Sequence, residues 1–469
     1  MSRWPRLRSC LAGGGANEYP VSETDAGIPK RFCPSDVQLL MNRRDFLRTA
    51  ATSTATLSAA AGMARAATPG IAEGAATAAA ASSLQHLKSL TTAAKPISVE
   101  ERRQRIVKLQ AAVIEQQWGA LVVESGSTLE YFTGIRWHRS ERTTAAIIPA
   151  RGELIIVTPA FEEPSVRETL QVRGEVRPWD EADSPFERLV QGLRDRGVAS
   201  GTVAVESTIR FFIVDGMRRA SGAYAIVSGD PVVGACRLIK SPAELELMRI
   251  ASAVTIEALR QVHAHVERGM DPGAIRSLMD KATVALGGAP EFALVLLNES
   301  SAYPHGSHRA ETVREGGVIL MDCGCTVHGY QSDISRTWVH GTPNARQRKV
   351  WETVRRGQEI ALETARIGLP AGRIDDAVRS YYEREGWGPG YRLPGLSHRT
   401  GHGIGLDGHE SAYLVHGDGS PLQAGMCFSD EPGIYIPGEF GIRLEDCWHM
   451  SGSGPQLFTA LAKSIEEPM

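Results

Sequence analysis

The chain of 469 residues lacks several features that mark specialised classes of protein. No run of about 18 or more apolar residues lies in its main body, so no membrane-spanning helix is expected there. The formal net charge is only −3, which argues against nucleic acid as the main partner. With 42% hydrophobic and 22% charged residues, the composition is that of a globular protein with room for two domains.

Cysteine is also scarce, with seven residues and neither a CxxC pair nor a zinc-ribbon spacing. Two of the seven, Cys323 and Cys325, follow Asp322 and would share one face of a strand. Their thiols could bind a metal beside Asp322, or they could pack as small buried hydrophobic groups.

Residues 41–66 have the pattern of an export signal. Arg43 and Arg44 form a twin arginine, an uncharged stretch rich in Ala and Thr follows over 49–63, and 64–66 read Ala-Arg-Ala, a small-x-small cleavage pattern. We therefore predict a twin-arginine signal peptide and delivery to the periplasm or the medium. An arginine-containing helix of the mature protein is the alternative, and the uncharged run fits it poorly.

The flanking segments are interpreted from this signal. Met41 becomes the expected translation start, and residues 1–40 become a gene-model extension or a disordered leader. Residues 67–97 are rich in Ala, Thr and Ser without a strong period, which predicts a linker. After cleavage of the signal, no membrane association is expected.

Two domains are predicted beyond residue 97. Over 98–236, short apolar strands alternate with helical stripes, and 145–148 with 154–157 read as a hairpin, which together indicate an α/β domain. A second domain is predicted over 237–469. It begins at a helix with Ser241 as its cap, a proline in the first turn and a glutamate three residues after the cap.

Five residues of the second domain have the composition of a metal site: Asp322, Asp333, His402, Glu431 and Glu445. Four carboxylates and one imidazole suit two divalent cations, and an oxygen-rich set favours Mn²⁺, although Zn²⁺ or Co²⁺ would also fit. Two such ions about 3.5–4 Å apart can lower the pKa of a water that bridges them.

The first two acids belong to a predicted pair of strands. An apolar strand over 318–321 ends on Asp322, and the strand that returns after a turn leads to Asp333, so the two carboxylates would approach each other. Without a cation such a pair repels, which raises one of the two pKa values. Considered alone, a solvated acid pair in a turn explains these residues equally well.

The other three candidates are each weak alone. His402 stands among three glycines that leave room around its ring, yet a lone histidine is more often structural. Glu431 follows a predicted strand and precedes a Pro-Gly turn, and Glu445 alternates with apolar Leu444. Acids that alternate with buried apolar residues would line one cavity.

Together these segments resemble the creatinase/prolidase/methionine aminopeptidase family, whose catalytic fold is called pita-bread. The matching motifs are Asp322-x-Gly324, Gly329-Tyr330-x-Ser332-Asp333-Ile334-x-Arg336-Thr337, Gly401-His402-Gly403-Ile404-Gly405-Leu406, Glu431-Pro432-Gly433 and Arg443-x-Glu445-Asp446. Xaa-Pro dipeptidases and aminopeptidases P are the most similar members. The resemblance implies an α/β N-terminal domain followed by an α+β pita-bread catalytic domain, and it implies a homodimer.

The resemblance also implies a role for each metal ligand. Asp322 would bind one ion through both oxygens, while Asp333 and Glu445 would bridge the two ions. His402 and Glu431 would bind the other ion, and Glu431 would also act as the general base.

Three further residues would face the substrate by the same resemblance. His305 would bind the substrate, and His409 would stabilise the tetrahedral intermediate. Arg443 would hold the carboxylate end of the substrate or support the bridging glutamate. The implied reaction is hydrolysis of the Xaa-Pro bond in a dipeptide; the alternatives are an aminopeptidase P acting on longer peptides, a different enzyme on the same fold, or a binding protein that has lost catalysis.

One departure from the family pattern and one predicted loop leave open points. Asp430 stands where relatives often carry Asn or another neutral residue, and its charge could change the metal preference of the site. Tyr131, Trp137 and His138 lie in a predicted loop that either reaches the site of a neighbouring subunit or packs against its own domain.

Overall fold

The computed structural model describes residues 84–469. The predicted leader, the predicted signal peptide and the first part of the predicted linker fall within 1–83, outside the described residues. Within the described part, no helix combines the length and the apolar character needed to cross a membrane.

The rest of the predicted linker, 84–97, packs against the second domain. Leu84 and Ile97 are buried, and the amide of Leu90 donates to the carbonyl of Leu286 at 2.9 Å. This stretch is therefore attached to the body of the protein, because apolar side chains at both of its ends find partners there.

The first domain is an α/β domain, as the sequence predicts. Its helices are α1 (Val99–Glu115), α2 (Ser127–Thr133), α3 (Glu163–Thr169), α4 (Pro185–Asp195), α5 (Phe211–Ala220) and α6 (Asp230–Arg237). Its strands are β1 (Ala120–Glu124), β2 (Ala145–Pro149), β3 (Leu154–Pro159), β4 (Gly174–Trp179), β5 (Gly201–Val205) and β6 (Tyr224–Ser228).

These six strands form one sheet in the order β4-β3-β2-β1-β5-β6. The predicted hairpin is confirmed as β2 and β3, which pair antiparallel with Ala145 opposite Val157. Strands β1, β5 and β6 run parallel to one another, so their carboxyl ends meet at one edge. That edge faces the second domain through α2 and the end of α6.

The second domain mixes helices with antiparallel strands. Its helices are α7 (Pro242–His265), α8 (Pro272–Ala285), α9 (Ala345–Thr364) and α10 (Gly372–Arg384). Its strands are β7 (Ala289–Leu297), β8 (Val318–Val327), β9 (Tyr330–Gln331), β10 (Ile334–Val339), β11 (Gly401–Gly403), β12 (Glu410–Leu414), β13 (Cys427–Asp430), β14 (Gly433–Ile436), β15 (Phe440–Arg443), β16 (Asp446–Ser451) and β17 (Gly454–Leu457).

The strands of the second domain form two larger sheets and one hairpin. The first sheet has the order β10-β8-β7, with β9 paired to β8, and the second has the order β12-β11-β13-β16-β17. The hairpin is β14 with β15. Buried side chains of α7 and α8 pack on the first sheet, and those of α9 and α10 pack near the second.

The predicted start of α7 is confirmed in detail. The Glu244 amide donates to the Ser241 hydroxyl at 3.2 Å, and the Ser241 amide donates to the Glu244 carboxylate at 2.7 Å. This reciprocal capping satisfies two amides that would otherwise lack partners at a helix start. Pro242 occupies the first turn, where no amide hydrogen is needed.

A tight turn brings the first two acids together. His328 and Gly329 adopt positive φ angles of 49° and 87° between the paired residues Val327 and Tyr330. A two-residue turn of this kind matches the twist of antiparallel strands. The chain then leaves β8 at Asp333 and rejoins it in β10, which places Asp333 close to Asp322.

A buried ion pair joins the two sheets next to the last ligand. Arg336 of β10 and Asp446 of β16 are both fully buried, with Nη2 and Oδ1 2.7 Å apart. Arg336 also donates to the carbonyl of Glu445 at 2.8 Å. The backbone of Glu445 is thus fixed against the strand that follows Asp333.

Candidate metal centre

The five predicted ligands line one cavity of about 890 Å³. Nε2 of His402 lies 3.6 Å from Oδ2 of Asp333 and 3.4 Å from Oε1 of Glu431. Ligand atoms of Asp322, Asp333 and Glu445 lie within 4.8 Å of one another, as do those of His402, Glu431 and Glu445. Two overlapping clusters of this size suit two ions that share ligands.

The unused oxygens of the acids fit a cation. Oδ1 of Asp322, Oδ1 of Asp333 and Oε1 of Glu445 are buried, and none has a hydrogen-bond partner among the described residues. Buried carboxylate oxygens without partners are costly, so they are normally paired or bind a metal. The donor set of this cavity therefore fits divalent ions.

Two of the acids use their other oxygen to fix their orientation. Arg443 donates from Nη2 to Oδ2 of Asp322 at 2.7 Å, and Ser335 donates its hydroxyl to Oε2 of Glu445 at 2.8 Å. Partners of this kind aim the remaining oxygen at the ion.

His402 is held in the tautomer that a metal ligand needs. Its Nδ1 lies 3.0 Å from the carbonyl of Gly403, which accepts the Nδ1 proton. Nε2 is then unprotonated and faces Asp333 and Glu431. Burial lowers the pKa of His402 to about 3, with His409 acting in the same direction, so the ring stays neutral.

The carboxylates strongly perturb one another. Burial raises the pKa of Asp333 well above its usual value, and Asp322 and Glu431 add to this effect. Burial and Asp333 do the same to the pKa of Glu445. Burial raises the pKa of Glu431 to about 7, where Asp322 contributes and Arg443 partly offsets it. Cations would remove this repulsion.

Arg443 is occupied by the protein itself. Besides Asp322, it donates to the Ser335 hydroxyl at 3.0 Å, to the Tyr435 hydroxyl at 3.0 Å and to the carbonyl of Pro304 at 3.1 Å. Of the two roles that the resemblance offers for Arg443, these contacts favour support of the metal ligands over binding of a substrate carboxylate.

The two predicted substrate histidines lie at the rim. His305 and His409 are exposed and line the cavity. The rings of His409 and His402 meet edge to face with centroids 4.1 Å apart. His409 can therefore reach a group bound next to His402.

Two further residues of the cavity have no assigned role in the sequence interpretation. His398 bonds through Nε2 to the Tyr435 hydroxyl at 2.7 Å, and its Nδ1 lies 3.9 Å from Oε2 of Glu431. Arg399 lines the cavity with its guanidinium 4.5 Å from the centroid of the Tyr413 ring. In the sequence, both residues lie just before the His402 motif, and this position could have pointed to the cavity.

The two thiols next to Asp322 belong to the hydrophobic core. Cys323 and Cys325 are fully buried among apolar side chains, and the Cys325 thiol contacts the Thr255 hydroxyl at 3.3 Å. Because successive residues of a strand face opposite sides, Asp322 reaches the cavity while Cys323 does not. Of the two interpretations of these cysteines, packing as small buried hydrophobic groups is the one that the structure shows.

Asp430 also faces away from the cavity. Its side chain is fully buried, and neither oxygen has a hydrogen-bond partner among the described residues. Burial raises the pKa of Asp430 well above its usual value, and Asp446 adds to this effect. A carboxyl that resists ionisation in this way adds little charge to the metal centre.

The predicted loop of Tyr131, Trp137 and His138 is only partly a loop. Tyr131 lies within α2, is buried, and donates its hydroxyl to the carbonyl of Cys236 at 2.8 Å. The prediction that Tyr131 lies in a loop is therefore wrong, since its ring packs within its own chain. Trp137 is half-buried against the same core, and His138 is exposed.

Comparison with known proteins identifies matching families and relatives. The model of metallopeptidase family M24 matches residues 246–451, and that of the creatinase/prolidase N-terminal domain matches residues 105–239. An uncharacterized peptidase of Schizosaccharomyces pombe is 32% identical over 407 residues, which cover 82% of this chain and 87% of the relative.

Two relatives have more specific names. The Xaa-Pro dipeptidase of Lactobacillus helveticus is 29% identical over 364 residues, covering 76% of this chain and 97% of the relative. The crystal structure of dipeptidase PepE from Mycobacterium ulcerans has a TM-score of 0.71 at 30% identity, covering 78% of this chain and 97% of that one.

Removal of divalent ions should destabilise the protein more at about pH 8 than at about pH 5. Because the pKa of Glu431 is raised from 4.5 to about 7, the folded protein without ions binds more protons than the unfolded chain between these values. Its free energy of unfolding then falls as the pH rises, by about 3 kcal/mol for this group alone.

Urea unfolding of EDTA-treated and Mn²⁺-loaded protein at both pH values measures this effect. The Mn²⁺-loaded protein is the control for general effects of pH. If the difference between the two forms is the same at both pH values, the pKa of Glu431 is not raised as described.

Proposed function

The chain belongs to metallopeptidase family M24, and from this premise we propose that it is a metal-dependent Xaa-Pro dipeptidase. As a member of this family it is a peptidase with a creatinase-type N-terminal domain and a pita-bread catalytic domain. A dipeptide that ends in proline is the proposed substrate. Arg399, a cation of the cavity that forms no ion pair within residues 84–469, carries the proposal.

Two divalent ions, preferably Mn²⁺, are part of the proposal. Asp322, Asp333 and Glu445 would hold one ion, and His402 and Glu431 would complete the site of the other, with Asp333 and Glu445 shared. When bound, such ions polarise a carbonyl group and lower the pKa of water. The preference for Mn²⁺ is a prediction from the oxygen-rich ligand set, and a homodimer is a prediction from the resemblance.

Glu431 is the proposed general base. It faces the cavity beside His402 and can take a proton from the water whose oxygen attacks the carbonyl carbon of the Xaa-Pro bond. The nitrogen of proline carries no hydrogen in this bond and must gain a proton before it can leave. Glu431 can return the same proton to that nitrogen as the carbon–nitrogen bond breaks.

His409 is the proposed donor to the oxygen that becomes negative. Although the residue is exposed as a whole, partial burial of its ring lowers the pKa of His409, and Arg399 acts in the same direction, so the ring is neutral near pH 7 and one nitrogen carries a hydrogen. A fixed donor at the oxygen of a tetrahedral intermediate is typically a large catalytic contribution.

Arg399 supports the choice of a dipeptide. Two arginines line the cavity, and Arg443 is already paired with Asp322. Arg399 forms no ion pair with any residue that the structure describes, and its guanidinium lies over the Tyr413 ring. A guanidinium is suited to bind a carboxylate through two parallel hydrogen bonds. The free carboxylate of a short substrate would meet it within the cavity.

An aminopeptidase that acts on longer peptides is the second candidate. A neighbouring cavity of about 340 Å³, lined by Trp137 and His138, shares Glu291, Gln331 and Asp407 with the main cavity. A substrate extended beyond proline could continue into this space. Wild-type enzyme that cleaves Ala-Pro-Ala faster than Ala-Pro would favour this candidate.

Replacement of Glu431 by Gln should abolish hydrolysis of Ala-Pro. The amide keeps an oxygen toward the ion but cannot accept the proton, so kcat should fall by roughly 100-fold to 10,000-fold. The measurement is steady-state hydrolysis with Mn²⁺ present, together with metal analysis of the protein.

Glu439→Gln is the matched control, because Glu439 pairs with Arg346 on the surface between β14 and β15. It should hydrolyse Ala-Pro like the wild type. If Glu431→Gln retains both its metal and its turnover, the assigned base is wrong.

Replacement of Arg399 by Gln should raise KM for Ala-Pro by about 10-fold to 100-fold, the loss expected for a charge-assisted pair. Hydrolysis of Ala-Pro amide, which has no carboxylate, should change little. Arg392→Gln alters an exposed arginine of the same segment and serves as the control. An equal loss on both substrates would contradict carboxylate binding by Arg399.

We also propose export by the twin-arginine route, from the motif at Arg43 and Arg44. Replacement of both residues by Lys keeps the charge but removes the motif, and should retain the protein in the cytoplasm. Immunoblots of cell fractions measure this, with Arg48→Lys as the charge-preserving control. Normal delivery of the double variant would reject the proposal.

A further inference from the structure

His409 sits on a short loop that needs external support. This histidine loop consists of residues 404–409 and joins β11 to β12. Its last residue lies against His402, with ring centroids 4.1 Å apart, and has an exposed side chain. The position of the His409 ring over the metal site therefore depends on the backbone of this loop.

Glu410 closes the histidine loop from its far end. One carboxylate oxygen, Oε1, accepts the amides of Leu406 at 3.1 Å and of Asp407 at 3.2 Å. These bonds fold the loop into a turn directly before His409. The side chain of Glu410 is 8% exposed, so water does not compete strongly for these bonds.

The charge of Glu410 is balanced from outside the loop. Lys240 places Nζ 2.9 Å from Oε2, and Arg237 contacts Oε1 through Nη2. Burial alone would raise the pKa of Glu410, but Lys240 and Arg237 hold it at about 2. The carboxylate is therefore ionised throughout the range in which the protein is studied.

The first domain, whose last helix α6 ends at Arg237 just past the boundary predicted at 236, supplies half of this support. Arg237 is the last residue of α6, and its Nη2 also lies 2.8 Å from Oδ2 of Asp407 within the loop. Its Nη1 donates to the Thr128 hydroxyl at 3.2 Å, and the Ser127 hydroxyl bonds to the other oxygen of Asp407. Residues of α2 and α6 thus hold the histidine loop.

Stability alone does not account for this arrangement. The side chains of Lys240, Arg237 and Glu410 are 2%, 11% and 8% exposed. Burying such groups costs desolvation that their attraction does not reliably repay, and hydrophobic replacements are often neutral or stabilising. Buried ion pairs fix the orientation of the groups they join better than apolar contacts do. A loop that carries a catalytic imidazole requires such a fixed orientation.

We propose that Glu410, paired with Arg237 and Lys240, is a positioning group that fixes His409 over the metal site. Through Arg237 the first domain then takes part in catalysis without touching the substrate. The inference rests on the proposed function only for the role given to His409.

The test is a double-mutant cycle with Arg237→Met and His409→Ala. Each single variant should lower kcat by roughly 10-fold to 100-fold, since a displacement of about 1 Å can cost that much. The double variant should be no slower than His409→Ala, because Arg237 acts through that ring. KM and metal content should change little, and Arg237→Lys should restore part of the loss.

Arg105→Met is the matched control. Arg105 is also a buried arginine of the first domain that pairs with the second, at 3.1 Å from Glu244, but it does not contact the histidine loop. It should lower stability and leave kcat unchanged. Multiplicative losses in the cycle, or an equal loss of kcat in Arg105→Met, would overturn the proposal.

A second measurement does not depend on the substrate. In a crystal structure of the Arg237→Met variant with Mn²⁺, the His409 ring should have left its contact with His402. An unmoved ring would overturn the proposal even if the wild type cleaves Ala-Pro. Failure of the wild type to cleave Ala-Pro would instead count against the proposed function, and the position of the ring would still decide the role of Glu410.

Discussion

The constraint on which the structure depends is the mutual repulsion of four carboxylates in one cavity. Asp322, Asp333, Glu431 and Glu445 lie too close together, and too far from water, to be ionised at once without compensation. Arg443 supplies one positive charge, but it contacts only Asp322 directly among these acids. Cations would supply the missing compensation, and the buried oxygens without partners among the described residues mark where those cations would bind.

The two sheets determine where these carboxylates lie in the cavity. Asp322 lies within β8, which continues to Val327 beyond the end predicted at Asp322, and His402 lies within β11. Asp333, Glu431 and Glu445 lie in the links next to strand ends, where side chains can turn into the cavity. Asp446 pairs with Arg336 across the sheets while the neighbouring Glu445 faces the cavity, so the two acids divide structural and functional work. Asp430 and Glu431 also face different ways, since Asp430 at the end of β13 is buried away from the cavity and Glu431 lines it.

Much of this could be predicted from the sequence, because alternation and turn chemistry act locally. The α7 cap, the β2–β3 hairpin and the approach of Asp322 to Asp333 all depend on residues close together in the chain. The partners of Arg443 and Glu410 could not be predicted, since Asp322 and Arg237 lie more than a hundred residues away. The burial of Tyr131 could not be predicted either, because its hydroxyl bonds to the carbonyl of Cys236, which lies 105 residues away in α6.

The contact between the two domains also explains why a cavity whose candidate metal ligands all come from the second domain lies beside the first domain. Ions and a base suffice to activate water, but they do not choose a substrate. Choice requires groups at a fixed distance from the reacting bond, and under the proposed function these are His409 and Arg399 on the two segments that flank His402. One segment is held by Arg237 of the first domain, and the other presents Arg399 toward the same opening. Under the proposed function, the first domain therefore helps to fix the position of His409, while the second domain supplies the candidate metal ligands and Arg399.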